Sequence, residues 1–436
     1  MTSTWSGSPQ AAALEDPSGT EVFELHEAQV RSYCRLFGRV FATARGALMI
    51  DVDGRSYVDF FTGAGALNYG HNHPQIKERL IEYLEGDGIM HSLDLYTAAK
   101  RDFIATLYDV VLEPRGLGDY RITFPGPTGT NAVETSLKIA RKATGRDTVV
   151  AFTNAFHGMS LGSLALTAAR DKRRAAGTVL PGVARLPFDG YLGQGVDTAR
   201  YLEKLLDDQW SGVDTPAAIV VETVQAEGGL NVASAEWLRD IARIARLHGA
   251  LLIVDDIQTG CGRTGTFFSF EGMGIEPDIV LLSKSLGGMG LPLSLVVFRP
   301  ELDVLQPGEH NGTFRGNNLG FVAATAALEL WRDTALPTKI ARVAETLRIR
   351  LERIVTDHPG HGAHVRGRGV LLGLAWTDPE IASRVSAAAF ERGAIAETCG
   401  PRNEVLKLMP PLVIDDEELE RGLDAIEQAV SLVARG

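Results

Sequence analysis

The stretch D278-I-V-L-L-S-K-S-L-G-G-M-G-L-P292 delivers one lysine, Lys284, from an apolar run into a patch of glycines. Lysine is seldom buried unless it is paired. Lys284 is therefore either the partner of a strand-end carboxylate or a Schiff-base lysine, whose amine must lose its proton to attack a carbonyl. A free lysine titrates near ~10.4, so a reactive one needs burial or cationic neighbours to lower it. The flanking glycines would let a flat ligand approach the backbone closely.

Three other stretches carry comparable potential. L251-L-I-V-D-D-I-Q258 ends an apolar run on two carboxylates, which are costly to bury without a cation. A carboxylate pair can serve a glycosidase or a Mg²⁺ site. Alternation sends Asp255 and Asp256 to opposite faces, so function is expected of Asp255 and solvation at a loop edge of Asp256. G126-P-T-G-T-N131 separates a strand ending at Phe124 from a helix. It is either an ordinary turn or an anion site made by free N–H groups and the helix dipole. It matches neither the P-loop nor the G-x-G-x-x-G pattern. G158-M-S-L-G162 matches the nucleophile elbow of serine hydrolases, with Ser160 as nucleophile. That elbow must follow its strand directly. Here the run T148-V-V-A-F152 ends about eight residues too early, which leaves Phe156 and His157 free to stack on a flat ligand. H71-N-H73 and H358-P-G-H-G-A-H364 fit no metal-ligand spacing and read as surface loops, so no metal is expected.

The elements that must position these groups are strands and helices in alternation. The runs 120–124, 148–152, 218–222, 251–255, 279–283 and 294–298 are apolar throughout, as strands covered on both faces are. S234-A-E-W-L-R-D-I-A-R-I-A-R-L-H-G249 lies between two of them as a helix capped by Ser234, with Trp237, Ile241, Ile244 and His248 along one face and Gly249 at its end. This order predicts an α/β fold with a mostly parallel central sheet. G46–D59 reads as a hairpin around Asp53-Gly54. The expected division is a flexible lead-in over 1–25, an N-terminal part of a small domain over 26–75, a large domain over 76–330 and a C-terminal small α+β domain over 331–436.

The chain has 436 residues with 45% hydrophobic and 22% charged, a composition typical of globular proteins. Its net charge of −12 argues against a nucleic-acid surface. Three dispersed cysteines suit a reducing compartment. Residues 1–30 lack Lys and Arg, and no apolar run approaches ~18 residues. A cytoplasmic protein with no membrane contact is expected.

Ligands of open α/β sheets sit beyond the carboxyl ends of the strands. The anion turn, Phe156-His157, Asp255 with Gln258, and Lys284 all fall at such ends. Together they describe a ligand with a phosphate, a flat ring, a basic ring nitrogen and an aldehyde, which is pyridoxal 5′-phosphate.

V254-D-D-I-Q-T-G-C-G-R-T-G265 followed by P277-D-I-V-L-L-S-K-S-L-G-G288 resembles the signature of class III (ornithine/ω-amino acid) aminotransferases. The likeness runs from G46-A-L-M-I-D-V-D-G54 and G70-H-N-H-P74 to L408-M-P-P-L412. Within the family it is strongest to the branch that forms L-2,4-diaminobutyrate, through G126–E134, P307-G-E-H-N-G-T-F-R-G-N-N318 and C399–L412. The resemblance implies a type I pyridoxal-phosphate transferase fold, working as a homodimer or larger homo-oligomer with shared active sites. It implies ping-pong transfer from L-glutamate to L-aspartate 4-semialdehyde. Another ω-amino acid aminotransferase (ornithine, 4-aminobutyrate) or a semialdehyde aminomutase would share the cofactor residues. By position, Lys284 and Asp255 are the catalytic residues. Gly129, Thr130, Phe156, His157 and Gln258 face the cofactor, and Thr313 reaches the phosphate of the neighbouring subunit. Glu222, Glu227 and Lys407 line the substrate side. Lys407 stands where ornithine-type relatives carry an arginine, and it cannot make arginine's bidentate fork.

Overall fold

The computed structural model describes residues 19–193 and 195–435. The first part of the expected lead-in, residues 1–18, lies outside the described residues, and Glu21–His26 is helical. Seven strands form the central sheet: β1 (Arg121–Thr123), β2 (Val149–Phe152), β3 (Val183–Leu186), β4 (Ala218–Val221), β5 (Leu251–Asp255), β6 (Ile279–Leu282) and β7 (Leu295–Phe298). Their spatial order is β1-β7-β6-β5-β4-β2-β3. β7 runs against both of its neighbours, and the pairs among the other strands are parallel.

The unbroken apolar runs follow from this layering. Val150, Ile219, Val254 and Val280 belong to the core on one face, and Val149, Ala218, Ile253 and Ile279 to the core on the other. In β2, β4 and β6 successive side chains thus alternate between two dry layers, whereas the edge run 120–124 is not covered on both faces, because Arg121 is exposed. Helix α1 (Gly129–Thr144) buries Ala132, Val133, Leu137 and Ala140 in the second layer. The helix Ala235–Leu247 covers the first with Trp237, Leu238, Ile241 and Ile244, and Ser234 Oγ caps it by accepting the Trp237 amide.

Two further four-stranded sheets flank this core. Strands 41–45, 48–51 and 56–59 join 394–395, so the N-terminal hairpin is stitched to the C-terminal part by Ala394 beside Val58. Strands 364–368, 371–375, 405–408 and 397–399 form the other, in which Lys407 lies directly opposite Glu397.

Candidate active site

Asp255 and Lys284 meet because their strands are adjacent. Asp255 pairs in register with Leu281, and Lys284 follows three residues later. Lys284 is in the left-handed region at φ 50°, a conformation that is strained for a residue with a Cβ and concentrates at functional sites. The turn is held by Ser285, whose Oγ donates to Gly65 O at 2.7 Å and accepts the Asn68 amide at 3.1 Å.

A cavity of about 150 Å³ opens at these strand ends, a volume in which one aromatic ring fits. It is lined by Gly129, Thr130, Phe156, His157, Glu222, Glu227, Asp255, Gln258 and Lys284, together with Gly158, Ile257 and Thr259. Residues far apart in sequence are therefore brought to one place.

Asp255 Oδ2 lies 2.7 Å from His157 Nδ1, and Oδ1 accepts the Ile257 amide at 3.2 Å. Burial alone would lower the imidazole, but the bond to Asp255 and its charge outweigh burial and raise it. His157 therefore braces Asp255 from behind instead of stacking. Phe156 is half-buried on the cavity wall with Lys172 Nζ 5.7 Å from its ring centroid, and its amide donates to Glu222 Oε2 at 3.1 Å. Burial, opposed by His157, pushes Glu222 up to about 8. Burial also lowers the Lys284 ammonium against the pull of Glu227, which makes its proton easier to lose than that of a free lysine. Lys284 Nζ has no hydrogen-bond or ion-pair partner among the described residues.

Also lining the cavity, Glu227 accepts through Oε1 from Lys407 Nζ at 2.6 Å, and the same nitrogen is 2.9 Å from Glu397 Oε1. Lys407 is 0% exposed. Burial works against both charges, yet the pairing raises Lys407 well above its ordinary value and holds Glu227 down at about 2. Lys407 lies behind Glu227 and is not a cavity wall. Thr313 lies outside the cavity on an exposed loop.

Sequence reasoning missed Glu397, although a lone acid in the otherwise apolar A394-I-A-E397 was a signal. It also misjudged Asp256, which is 1% exposed and not solvated at a loop edge. The chain folds back over it, so that Oδ1 accepts the Thr259 hydroxyl at 2.6 Å and Oδ2 the Ser269 amide at 2.9 Å. Burial pushes it up to about 6. The antiparallel run of β7 and the edge strand β3 were likewise not foreseen.

Pyridoxal 5′-phosphate fits this chemistry. An unpaired amine faces a braced carboxylate. His157 Nε2 and Gln258 Oε1 are buried without partners among the described residues, as polar atoms awaiting a ligand are. The Gln258 amide donates to Ala64 O at 2.8 Å, which fixes its direction. The start of α1 supplies N–H groups with no partner in the preceding turn.

Comparison with known proteins agrees. Residues 31–430 match the family described as aminotransferase class-III. The chain is 54% identical to a diaminobutyrate–2-oxoglutarate transaminase of Bordetella parapertussis, over 94% of this chain and 95% of the relative. It is 53% identical to one of Halalkalibacterium halodurans, over 94% and 96%. The ornithine aminotransferase of Toxoplasma gondii superposes with a TM-score of 0.83 at 28% identity, over 95% of this chain and 94% of that one.

Proposed function

The chain belongs to the class III aminotransferases, and from that premise we propose that it moves the amino group of L-glutamate to the terminal aldehyde of L-aspartate 4-semialdehyde, forming L-2,4-diaminobutyrate and 2-oxoglutarate. The observation that carries the chemistry is the unpaired, desolvated Lys284 amine in one cavity with the Asp255–His157 pair. The substrate pair rests on relatives at 50–54% identity that act on diaminobutyrate and 2-oxoglutarate by name.

Bound in the cavity, pyridoxal 5′-phosphate supplies an aldehyde that takes up amines and a protonated ring that withdraws electrons. The first residues of α1, Gly129 and Thr130, would hold the phosphate through helix N-terminal N–H groups. Phe156 would cover the ring face, Gln258 would meet the ring hydroxyl, and Asp255 would keep the ring nitrogen protonated. Lys284 Nζ would take the Cα proton of L-glutamate and later give it up again, so that the same nitrogen serves as base and then acid. Glu227, kept ionised by Lys407, and Glu222 set the charge on the substrate side. The two half-reactions make the kinetics ping-pong.

A homodimer is part of this reading. It is supported by the exposed position of Thr313 beside Phe314, which is 64% exposed and touches the His91 ring. Ile89, Leu95 and Tyr96 extend an apolar strip there, of the kind that marks an interface. A cytoplasmic location is supported by three unpaired cysteines, and no helix among the described residues is long and apolar enough to cross a membrane.

The test compares L-2,4-diaminobutyrate, L-ornithine and 4-aminobutyrate as donors to 2-oxoglutarate. Diaminobutyrate is expected to give the highest kcat/KM. A higher value for either competitor contradicts the assignment, and isomerisation without a keto acid would indicate an aminomutase.

A further inference from the structure

The turn G158-M-S-L-G162 is unused by the chemistry above, and no histidine is among the hydrogen-bond partners of Ser160. A Cβ on Gly158 would lie 2.7 Å from Thr130 Oγ1, and one on Gly162 would lie 2.1 Å from Glu134 Oε2. Both glycines are therefore set by close approach to α1. Ser160, between them, bridges the same two residues of α1. Its Oγ is 2.6 Å from Thr130 Oγ1 and donates to Glu134 Oε1 at 2.5 Å. Glu134 Oε1 also accepts the amides of Gly162 at 2.8 Å and Ser163 at 3.1 Å.

Counting hydrogens fixes the direction of this chain. A carboxylate only accepts, and a hydroxyl has one hydrogen to give. Ser160 gives its hydrogen to Glu134, so Thr130 is the donor in the Thr130–Ser160 contact. Thr130 Oγ1 in turn faces Ser163 Oγ at 2.6 Å and the Ser160 amide at 3.3 Å. The Thr130 hydroxyl hydrogen thus points into the turn. The backbone N–H groups of Gly129 and Thr130, at the start of the helix, are left for an anion.

We propose that Ser160 is a positioning residue for the cofactor phosphate. The Glu134–Ser160–Thr130 chain clamps the first turn of α1 to the turn over residues 160–163, and backbone amides grip the phosphate while the Thr130 hydroxyl serves the clamp. This rests on the pyridoxal-phosphate reading above.

The test titrates cofactor-free protein with pyridoxal 5′-phosphate and with pyridoxal, which lacks the phosphate, following tryptophan fluorescence. Ser160→Ala is expected to weaken pyridoxal 5′-phosphate about tenfold, the scale of one charge-assisted hydrogen bond, and to leave pyridoxal unchanged. Ser160→Thr is expected to restore binding. Equal weakening of both ligands, or a change in pyridoxal 5′-phosphate affinity below about twofold, overturns the proposal. If circular dichroism shows Ser160→Ala unfolded, Glu134→Gln carries the same comparison with the same two outcomes. A wild-type protein that binds neither ligand overturns the underlying functional reading as well, which separates the two failures.

Discussion

Lys284, half-buried on the cavity wall, and Lys407, fully buried behind Glu227, are driven in opposite directions. Lys284 projects from a strained turn with no partner among the described residues, and burial lowers its pKa. Lys407 sits within a sheet between Glu227 and Glu397, and they raise it. Burial penalises both ammonium groups, so the partners decide the sign. In the proposed mechanism the first lysine serves as nucleophile and base, while the second is a fixed cation that holds Glu227 down.

The largest effect that could break this contrast is on turnover. Lys284→Ala is expected to lower kcat by on the order of 10³-fold or more, and wild-type-like kcat would assign the amine to another residue. Lys407→Ala leaves Glu397 buried and Glu227 half-buried without their cation. It is expected to cost about 3–5 kcal/mol, read as a shift in urea midpoint, and a midpoint close to wild type would show that Glu227 and Glu397 do not depend on it. Asp255→Ala is expected to reduce kcat by about 10²-fold while Lys284 still takes up cofactor. Loss of cofactor with unchanged kcat in the loaded fraction would make Asp255 a binding group only.

The smallest effect concerns pH. Glu222 is pushed up to about 8 in the folded chain from an ordinary 4.5. Between those values the unfolded chain ionises while the folded chain keeps the proton, so this group makes stability fall as pH rises through that window and then level off. Glu222→Gln should flatten the slope in cofactor-free protein, measured by urea midpoints across the window. An unchanged slope would place the proton elsewhere.

What was legible in the sequence depended on whether the cause was local. Strands β2, β4, β5 and β6 stood out because both their faces are dry, and Asp255 and Lys284 stood out as polar residues closing such runs. Edge strand β3 contains Arg185, so its V-A-R-L lacks that signature. The reversal of β7 depends on pairing with β1, more than 170 residues away. The Lys407–Glu397 contact follows from cross-strand register, and the cover over Asp256 comes from Ser269 beyond a long turn. Ser160 could be matched to an elbow by spacing alone, whereas its true partner Glu134 lies 26 residues earlier on α1.

The contrast between the two lysines is tested most directly by reducing the pyridoxal 5′-phosphate-loaded protein with borohydride and mapping the modified peptide. The account predicts a phosphopyridoxyl group on Lys284 and none on Lys407. An unmodified Lys284, or label on any other lysine in its place, would contradict it.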